Sequence, residues 1–344
     1  MFKKGKSPLA SILIISLIGI LGFKDTGIFI KDYMAKAGDD TEISFKSEES
    51  VNILGERDRD YIIEKDYEKY YVPKDLILKT QLNPSIFKVK KSNTYLMDMP
   101  NGRKIKDLNI GEQLKLESRE GGWGLFITTD NIKGYMLFEN LEEEKVITIG
   151  ISQVDKTLKG ANNTFYVLLK GEPVMIKDFS KGNFIIIDED GKEFKAHRDY
   201  ISLRNSRHTT SRSGGITSRT SKINAIISNA HKALGKPYKR GATGPNAYDC
   251  SGLTYSLYLN HAGVKLNRSS KEQVKNGMGV EKSELVPGDI VLFRTSGKSI
   301  GHAGLYIGDG NMIHASSGKN RVMVTPIDQD WYKKRYVTAR RIIK

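Results

Sequence analysis

A single cysteine, Cys250, stands among 344 residues. This excludes a disulfide framework within the monomer, and in an exported protein a lone thiol points to a chemical task. The alternative is a buried structural cysteine. Zinc sites usually include a close-spaced ligand pair, and Cys250, His302 and His314 lie more than five residues from one another, so no metal is expected. No apolar run reaches the roughly 20 residues of a membrane helix. The longest, Leu9 to Phe23, follows Lys3, Lys4 and Lys6 and ends at Lys24 and Asp25, the pattern of a signal-peptide core. Ala35-Lys36-Ala37 offers a small-x-small cleavage site. An uncleaved anchor extended through Ile28-Phe29-Ile30 is the alternative, so residues 1–37 are expected to be a signal peptide or N-terminal membrane anchor. Acidic residues are also short: 40 Asp and Glu against 55 Lys and Arg leave an excess of 15 positive charges. Such a chain should associate with polyanions. The export signal favours the anionic wall of a Gram-positive bacterium over nucleic acid. The most basic stretch, nine Lys or Arg with no acid between Asp199 and Asp249, also lacks the interleaved aromatics that stack on bases.

Cys250 lies in Tyr248-Asp249-Cys250-Ser251-Gly252, just ahead of a helix-like stretch from Leu253 to Ala262. A helix N-terminus favours thiolate over thiol, and the thiolate is the nucleophile. His302 follows in Gly301-His302-Ala303-Gly304, and His314 in Met312-Ile313-His314-Ala315. Gly308-Asp309-Gly310 joins two strand-like runs into an expected hairpin, which would bring both imidazoles to one end of a sheet. One ring could then deprotonate Cys250 while the other holds it in the right tautomer. Asp249 would raise the thiol pKa if it pointed inward, so it is expected to face a substrate amide or the loop backbone.

Together with Pro237-Tyr238, Pro287-Gly288-Asp289 and Trp331-Tyr332-Lys333-Lys334-Arg335-Tyr336, these motifs resemble the NlpC/p60 family of papain-like bacterial cell-wall peptidases from about Ile223 to Lys344. The resemblance implies Cys250 as nucleophile, His302 as base, His314 as orienting residue and Tyr238 as a hydroxyl near the oxyanion. It implies no cofactor. Lys239-Arg240 departs from the glycine pair usual after the tyrosine, which bears on the substrate-side wall. Asn267-Arg268-Ser269-Ser270 matches a substrate-facing loop. Ser251 and Ser269 could hydrogen-bond a D-glutamyl carboxylate, Arg268 would add charge, and Asp249 completes the substrate-binding set. Ser269 with Glu272 equally spells a capping box. The implied activity is an exported endopeptidase cutting peptidoglycan stem peptides between γ-D-glutamate and the next diamino acid. An amidase or cross-bridge peptidase on the same fold, and a non-catalytic wall-binding protein, are the rivals.

From about Thr41 to Leu203, short β-branched and aromatic runs alternate with Gly, Asn and Asp, as in small all-β units. Gly111-Glu112-Gln113-Leu114-Lys115-Leu116 is echoed 60 residues later by Gly171-Glu172-Pro173-Val174-Met175-Ile176. With Trp123-Gly124 and the closing Gly134-Tyr135-Met136-Leu137, the units resemble bacterial SH3-like barrels at 84–143 and 144–204, with a partial copy at 41–82. Trp123 and Tyr135 could stack on wall sugars or pack in the core. Residues 205–221, rich in Ser, Thr, Gly and Arg, are expected to be a linker. Residues 222–344 form the catalytic domain, whose helices-then-strands pattern indicates an α+β fold. The expected fold is therefore multidomain: N-terminal all-β barrels followed by an α+β papain-like domain. Peptidoglycan is the expected partner, teichoic acid and the membrane further ones.

Overall fold

The structure is a computed structural model and describes residues 25–36, 42–81, 85–144, 146–209, 217–297 and 299–344. The apolar run Leu9 to Phe23 lies outside these residues. Among the described residues no helix is long and apolar enough to cross a membrane.

Three β units precede an α+β domain, and all three share one topology. In the first, the sheet order is Glu68–Pro73, Asp60–Lys65, Ser50–Arg57, Asp25–Phe29, Ile77–Gln81. The third repeats it as Glu193–His197, Asn183–Ile187, Pro173–Ser180, Ile147–Ser152, Ile201–Thr209. The second has the same five positions in Lys133–Leu137, Trp123–Thr128, Gln113–Glu120, Ile86–Val89 and Leu141–Glu143. In each, a hairpin is inserted between the first and second strands of the unit, and a single 3-10 turn precedes the last: Lys74–Leu76, Phe138–Asn140 and Arg198–Tyr200. Alternation along strands such as Gln113–Glu120 buries one face, with Leu114 and Leu116 beside exposed Gln113 and Lys115.

Several expected boundaries move. The copy expected as partial is a complete five-stranded unit, and it begins at Asp25 instead of 41. Phe29 is fully buried in its core and Ala35 nearly so. Ile28-Phe29-Ile30 thus belongs to an interior strand and the core, where the alternative reading had an anchor extension, and a cut at Ala37 would remove the strand between Ser50–Arg57 and Ile77–Gln81. The expected linker also shrinks. Asn205 to Thr209 continue the last strand of the third unit beside Ile147 to Ile149, and Thr217 already caps the following helix, because the backbone on both sides finds partners.

The C-terminal domain opens with α1 (Ser218–Lys232), capped by the Thr217 hydroxyl. Ile223, Ile226, Ile227 and Ala230 recur at helical spacing and are buried. Leu234 lies past the helix end and is exposed. Next come α2 (Cys250–Ala262), which ends at left-handed Gly263, and the short α3 (Ser270–Gln273). A six-stranded antiparallel sheet follows in the order Met278–Val280, Tyr336–Arg341, Ile290–Ser296, Ser299–Gly308, Asn311–Ser316, Arg321–Pro326, with the one-turn α4 (Asp330–Lys333) before its last strand in sequence. One face, with Leu292, Ala303, Leu305 and Ile313, packs on Leu253 and Leu257 of α2. The other carries Phe293, Tyr306 and Met312 under Tyr332.

Candidate active site

Cys250 is the first residue of α2 because Asp249 caps it: Asp249 Oδ1 accepts from the Gly252 amide at 2.6 Å. Gly252 is required there, since a Cβ would fall 2.1 Å from the Ala242 carbonyl oxygen. The same carboxylate accepts from the Gly241 amide at 2.8 Å and takes a bidentate ion pair from Arg268, at 3.0 Å to Oδ1 and 2.7 Å to Oδ2. Arg268 also reaches Ser251 Oγ at 3.1 Å. Burial pushes the Asp249 carboxyl up, but Arg268 and the two amides outweigh it and hold the group below the usual carboxylate range. Asp249, Ser251 and Arg268 thus form one cluster with the loop backbone. Ser269 caps α3, accepting from the Glu272 amide at 3.3 Å. Gln273, fully buried, ties this loop to α2 by donating to the carbonyls of Ser251 and Asn267.

The thiol lies against the backbone on either side of His302. Its Sγ–H donates to the Gly301 carbonyl at 3.8 Å, and the Ala303 amide favours the thiolate. Burial nevertheless dominates and, with Asp249 adding to it, raises the thiol pKa. The thiolate expected from the helix N-terminus is therefore not the resting form. His302 Nε2 lies 2.9 Å from His314 Nδ1, and His314 Nε2 lies 2.9 Å from Thr325 Oγ1 and 3.4 Å from Tyr332 Oη. His314 is fully buried, Thr325 and His302 nearly so. Burial and the neighbouring His314 push His302 down to about 3, and burial pushes His314 down to about 4. At neutral pH both rings are neutral and the thiol is protonated. Tyr238 is half-buried; burial and the electrostatics of Cys250 and Asp249 raise its phenol, which keeps it a donor.

The hairpin brings both imidazoles together as expected. Thr325 and Tyr332 were not singled out from the sequence as site residues; Tyr332 was visible only inside a motif, and Thr325 has no local signal, because the strand pairing Met312↔Thr325 places it. Pro287-Gly288-Asp289 is structural: buried Asp289 accepts from the Val286 amide at 2.9 Å and from Arg341 at 2.9 and 2.8 Å. Among the described residues no cluster of His, Cys, Asp and Glu is arranged to hold a metal. Trp123 and Tyr135 are half-buried on the outer face of the second unit, outside its core.

Residues 235–341 match the family model described as NlpC/P60 family, so the chain carries an NlpC/P60 domain. A γ-D-glutamyl-L-lysine dipeptidyl-peptidase of Bacillus cereus is 38% identical over 120 residues, 34% of this chain and 36% of that one. The murein DD-endopeptidase MepH of Escherichia coli is 34% identical over 114 residues, 32% of this chain and 42% of that one. The chain thus spans only about a third to two fifths of the length of these relatives. A crystal structure of an NlpC/P60 family protein from Bacillus cereus aligns with 76% of this chain and 100% of that one, at 19% identity and a TM-score of 0.35.

Proposed function

We propose that the protein is an exported cysteine endopeptidase that cuts the peptide stems of peptidoglycan through an acyl-enzyme on Cys250. The observation that carries the reading is the meeting of the helix-capped thiol with the strand that bears His302, itself held 2.9 Å from His314. Both partners rest neutral, so the proton leaves Sγ as the Sγ–C bond forms at the scissile carbonyl. His302 Nδ1 takes it, because Nε2 is engaged by His314, and returns it to the leaving amine. The Cys250 amide and the Tyr238 hydroxyl are the donors proposed for the oxyanion.

The cleaved bond proposed is γ-D-glutamyl to diamino acid, on the strength of the name of the Bacillus cereus relative. Ser251, Ser269 and the Arg268 guanidinium are the proposed contacts for the D-glutamyl carboxylate, with Asp249 orienting Arg268. The three β units are read as SH3-like barrels, with the outer aromatic face of the second, Trp123 and Tyr135, toward the wall. The basic excess suits teichoic acid or peptidoglycan carboxylates, and the run Leu9 to Phe23 suits export or anchoring. The test is mass spectrometry of fragments released from purified peptidoglycan by the full chain and by Cys250→Ala. Fragments ending in D-glutamate, absent with the variant, are expected. Cross-bridge products would indicate a DD-endopeptidase, the activity in the name of the Escherichia coli relative. Wall pelleting without any release would indicate a binding protein.

A further inference from the structure

Two neutral imidazoles in series have two self-consistent proton arrangements. In the first, His302 carries its proton on Nε2 and donates it to His314 Nδ1, while His314 carries its own on Nε2. His302 Nδ1 then keeps a free lone pair. In the second, His314 Nδ1–H donates to His302 Nε2, the His302 proton sits on Nδ1, and no lone pair remains for the thiol. The 2.9 Å separation of the rings is compatible with both. The difference lies at the far end of the chain, where His314 Nε2 is a donor in the first arrangement and an acceptor in the second.

What faces that nitrogen is Thr325 Oγ1, at 2.9 Å and nearly buried, with the Tyr332 hydroxyl farther off at 3.4 Å. Among the described residues, the hydrogen bonds of the two rings run only to each other and to these hydroxyls. No carboxylate supports them, so a hydroxyl oxygen must do what a carboxylate does in an Asp-backed triad. Once His302 has taken the thiol's proton it is a cation, its Nε2–H must donate to His314 Nδ1, and His314 Nε2–H must find an acceptor. A hydroxyl can serve there without adding a charge beside the rings while they rest neutral, which the apolar face under Tyr332 would penalise.

We propose that Thr325 is a positioning residue: as acceptor from His314 Nε2–H, its Oγ1 holds the His302–His314 pair in the proton arrangement that leaves His302 Nδ1 free to take the proton of Cys250. In the proposed step the Sγ–H bond breaks and its proton moves to His302 Nδ1, Sγ bonds to the carbonyl carbon as the C=O π pair moves onto oxygen to give the oxyanion, and no proton leaves the His302–His314–Thr325 chain. This rests on the cysteine-peptidase reading above, but part of its test does not.

Thr325→Val keeps the shape and removes the hydroxyl, and Thr325→Ser restores it. Cys250 is the only thiol, so its alkylation by iodoacetamide at pH 7 reports base function without any wall substrate. In the full chain, Thr325→Val is expected to slow alkylation and to lower kcat for peptide release tenfold or more with KM unchanged. Thr325→Ser should recover most of both, and Tyr332→Phe should retain more than Thr325→Val. Imidazole 15N shifts of the wild type should show His314 protonated on Nε2, and this measurement decides the matter if Thr325→Val does not fold. The proposal is overturned if wild-type His314 carries its proton on Nδ1, if Thr325→Val alkylates at the wild-type rate, or if Thr325→Ser is as impaired as Thr325→Val. Alkylation that depends on Thr325 without peptide release sinks the peptidase reading alone. Cys250-dependent release indifferent to Thr325 sinks this one alone.

Discussion

The second and third β units have the same strand order, yet their inserted hairpins do opposite things. In the second unit, Thr94–Met97 and Lys104–Leu108 join their own sheet through the pair Tyr135↔Met97, and Met99 and Ile105 remain exposed. In the third, Lys156–Lys159 and Phe165–Leu168 form a separate two-stranded sheet against the catalytic domain. Tyr166 and Leu168 face the unit's own core, while Val167 and Leu169 belong to the core of α1, α2 and the catalytic sheet. The Val167 amide donates to Asn224 Oδ1 at 2.6 Å, Thr157 Oγ1 to the Ile307 carbonyl at 2.5 Å, and Arg219 Nη1 and Thr217 Oγ1 to Glu172 at 3.0 and 2.8 Å. The third unit is therefore part of the catalytic body. A repeat fixes topology, but what a repeated element packs against is set by the residues on its second face.

Truncating one apolar side chain at each hairpin should have very different effects. Leu169 is 1% exposed, so Leu169→Ala should cost the catalytic domain about 2–5 kcal/mol, through lost transfer energy and the cavity left behind. Met99→Ala, 59% exposed, should change stability by less than about 0.5 kcal/mol. Urea unfolding followed by far-ultraviolet circular dichroism checks both. Equal effects would mean that the hairpin of the third unit is no more buried than that of the second.

Acid should separate the same two regions. The unfolded-state pKa of a histidine is near 6.5, and the folded values of His302 and His314 are depressed to about 3 and about 4. The unfolded chain therefore binds more protons between those limits. Stability is full above pH 6.5 and is lost as pH falls, at about 1.4 kcal/mol per ring per unit, or roughly 2 kcal/mol per ring at pH 5. His231, on α1 at the seam, is pushed down to about 4 by burial and then by Lys159 of the hairpin, and adds a smaller share because it is only half-buried. Residues 85–144 contain no histidine. Calorimetry at pH 7 and pH 5 should show the melting of the catalytic body moving down while the second unit lacks this contribution; parallel shifts would contradict the burial of the two rings.

Much of this was legible in the sequence, and the misses share a cause. The thiol, both imidazoles and the hairpin between them follow from local motifs. Ser269, open between substrate contact and helix cap, is seen capping α3. The Thr157 and Lys156 contacts are invisible locally, because their partners lie 150 and 153 residues away. One signal was present and unused. Phe165-Tyr166-Val167-Leu168-Leu169 is a continuous apolar run, the mark of a strand buried on both faces, whereas Thr94-Tyr95-Leu96-Met97 leaves Tyr95 exposed as a one-sided strand does. The early start of the first unit was hidden for a related reason: Ile28-Phe29-Ile30 continues the apolar character of the N-terminal run, and only pairing with Ser50 and Ile77 distinguishes it.

A small effect is expected from charge at the seam. Lys156 Nζ lies 2.8 and 2.9 Å from the two carboxylate oxygens of Asp309, but the side chains are 29% and 56% exposed. Solvent screens such a pair and side-chain entropy opposes it, so Lys156→Ala, Asp309→Ala and the double variant should give a coupling of about 1 kcal/mol or less, shrinking further in 0.5 M salt. The neighbouring Thr157→Val should cost more, since it strips a donor from the carbonyl of buried Ile307. A Lys156–Asp309 coupling as large as the loss in Leu169→Ala would invert the account of the seam. The third unit would then be held to the catalytic domain by its charges, and high salt, rather than a cavity, would release it.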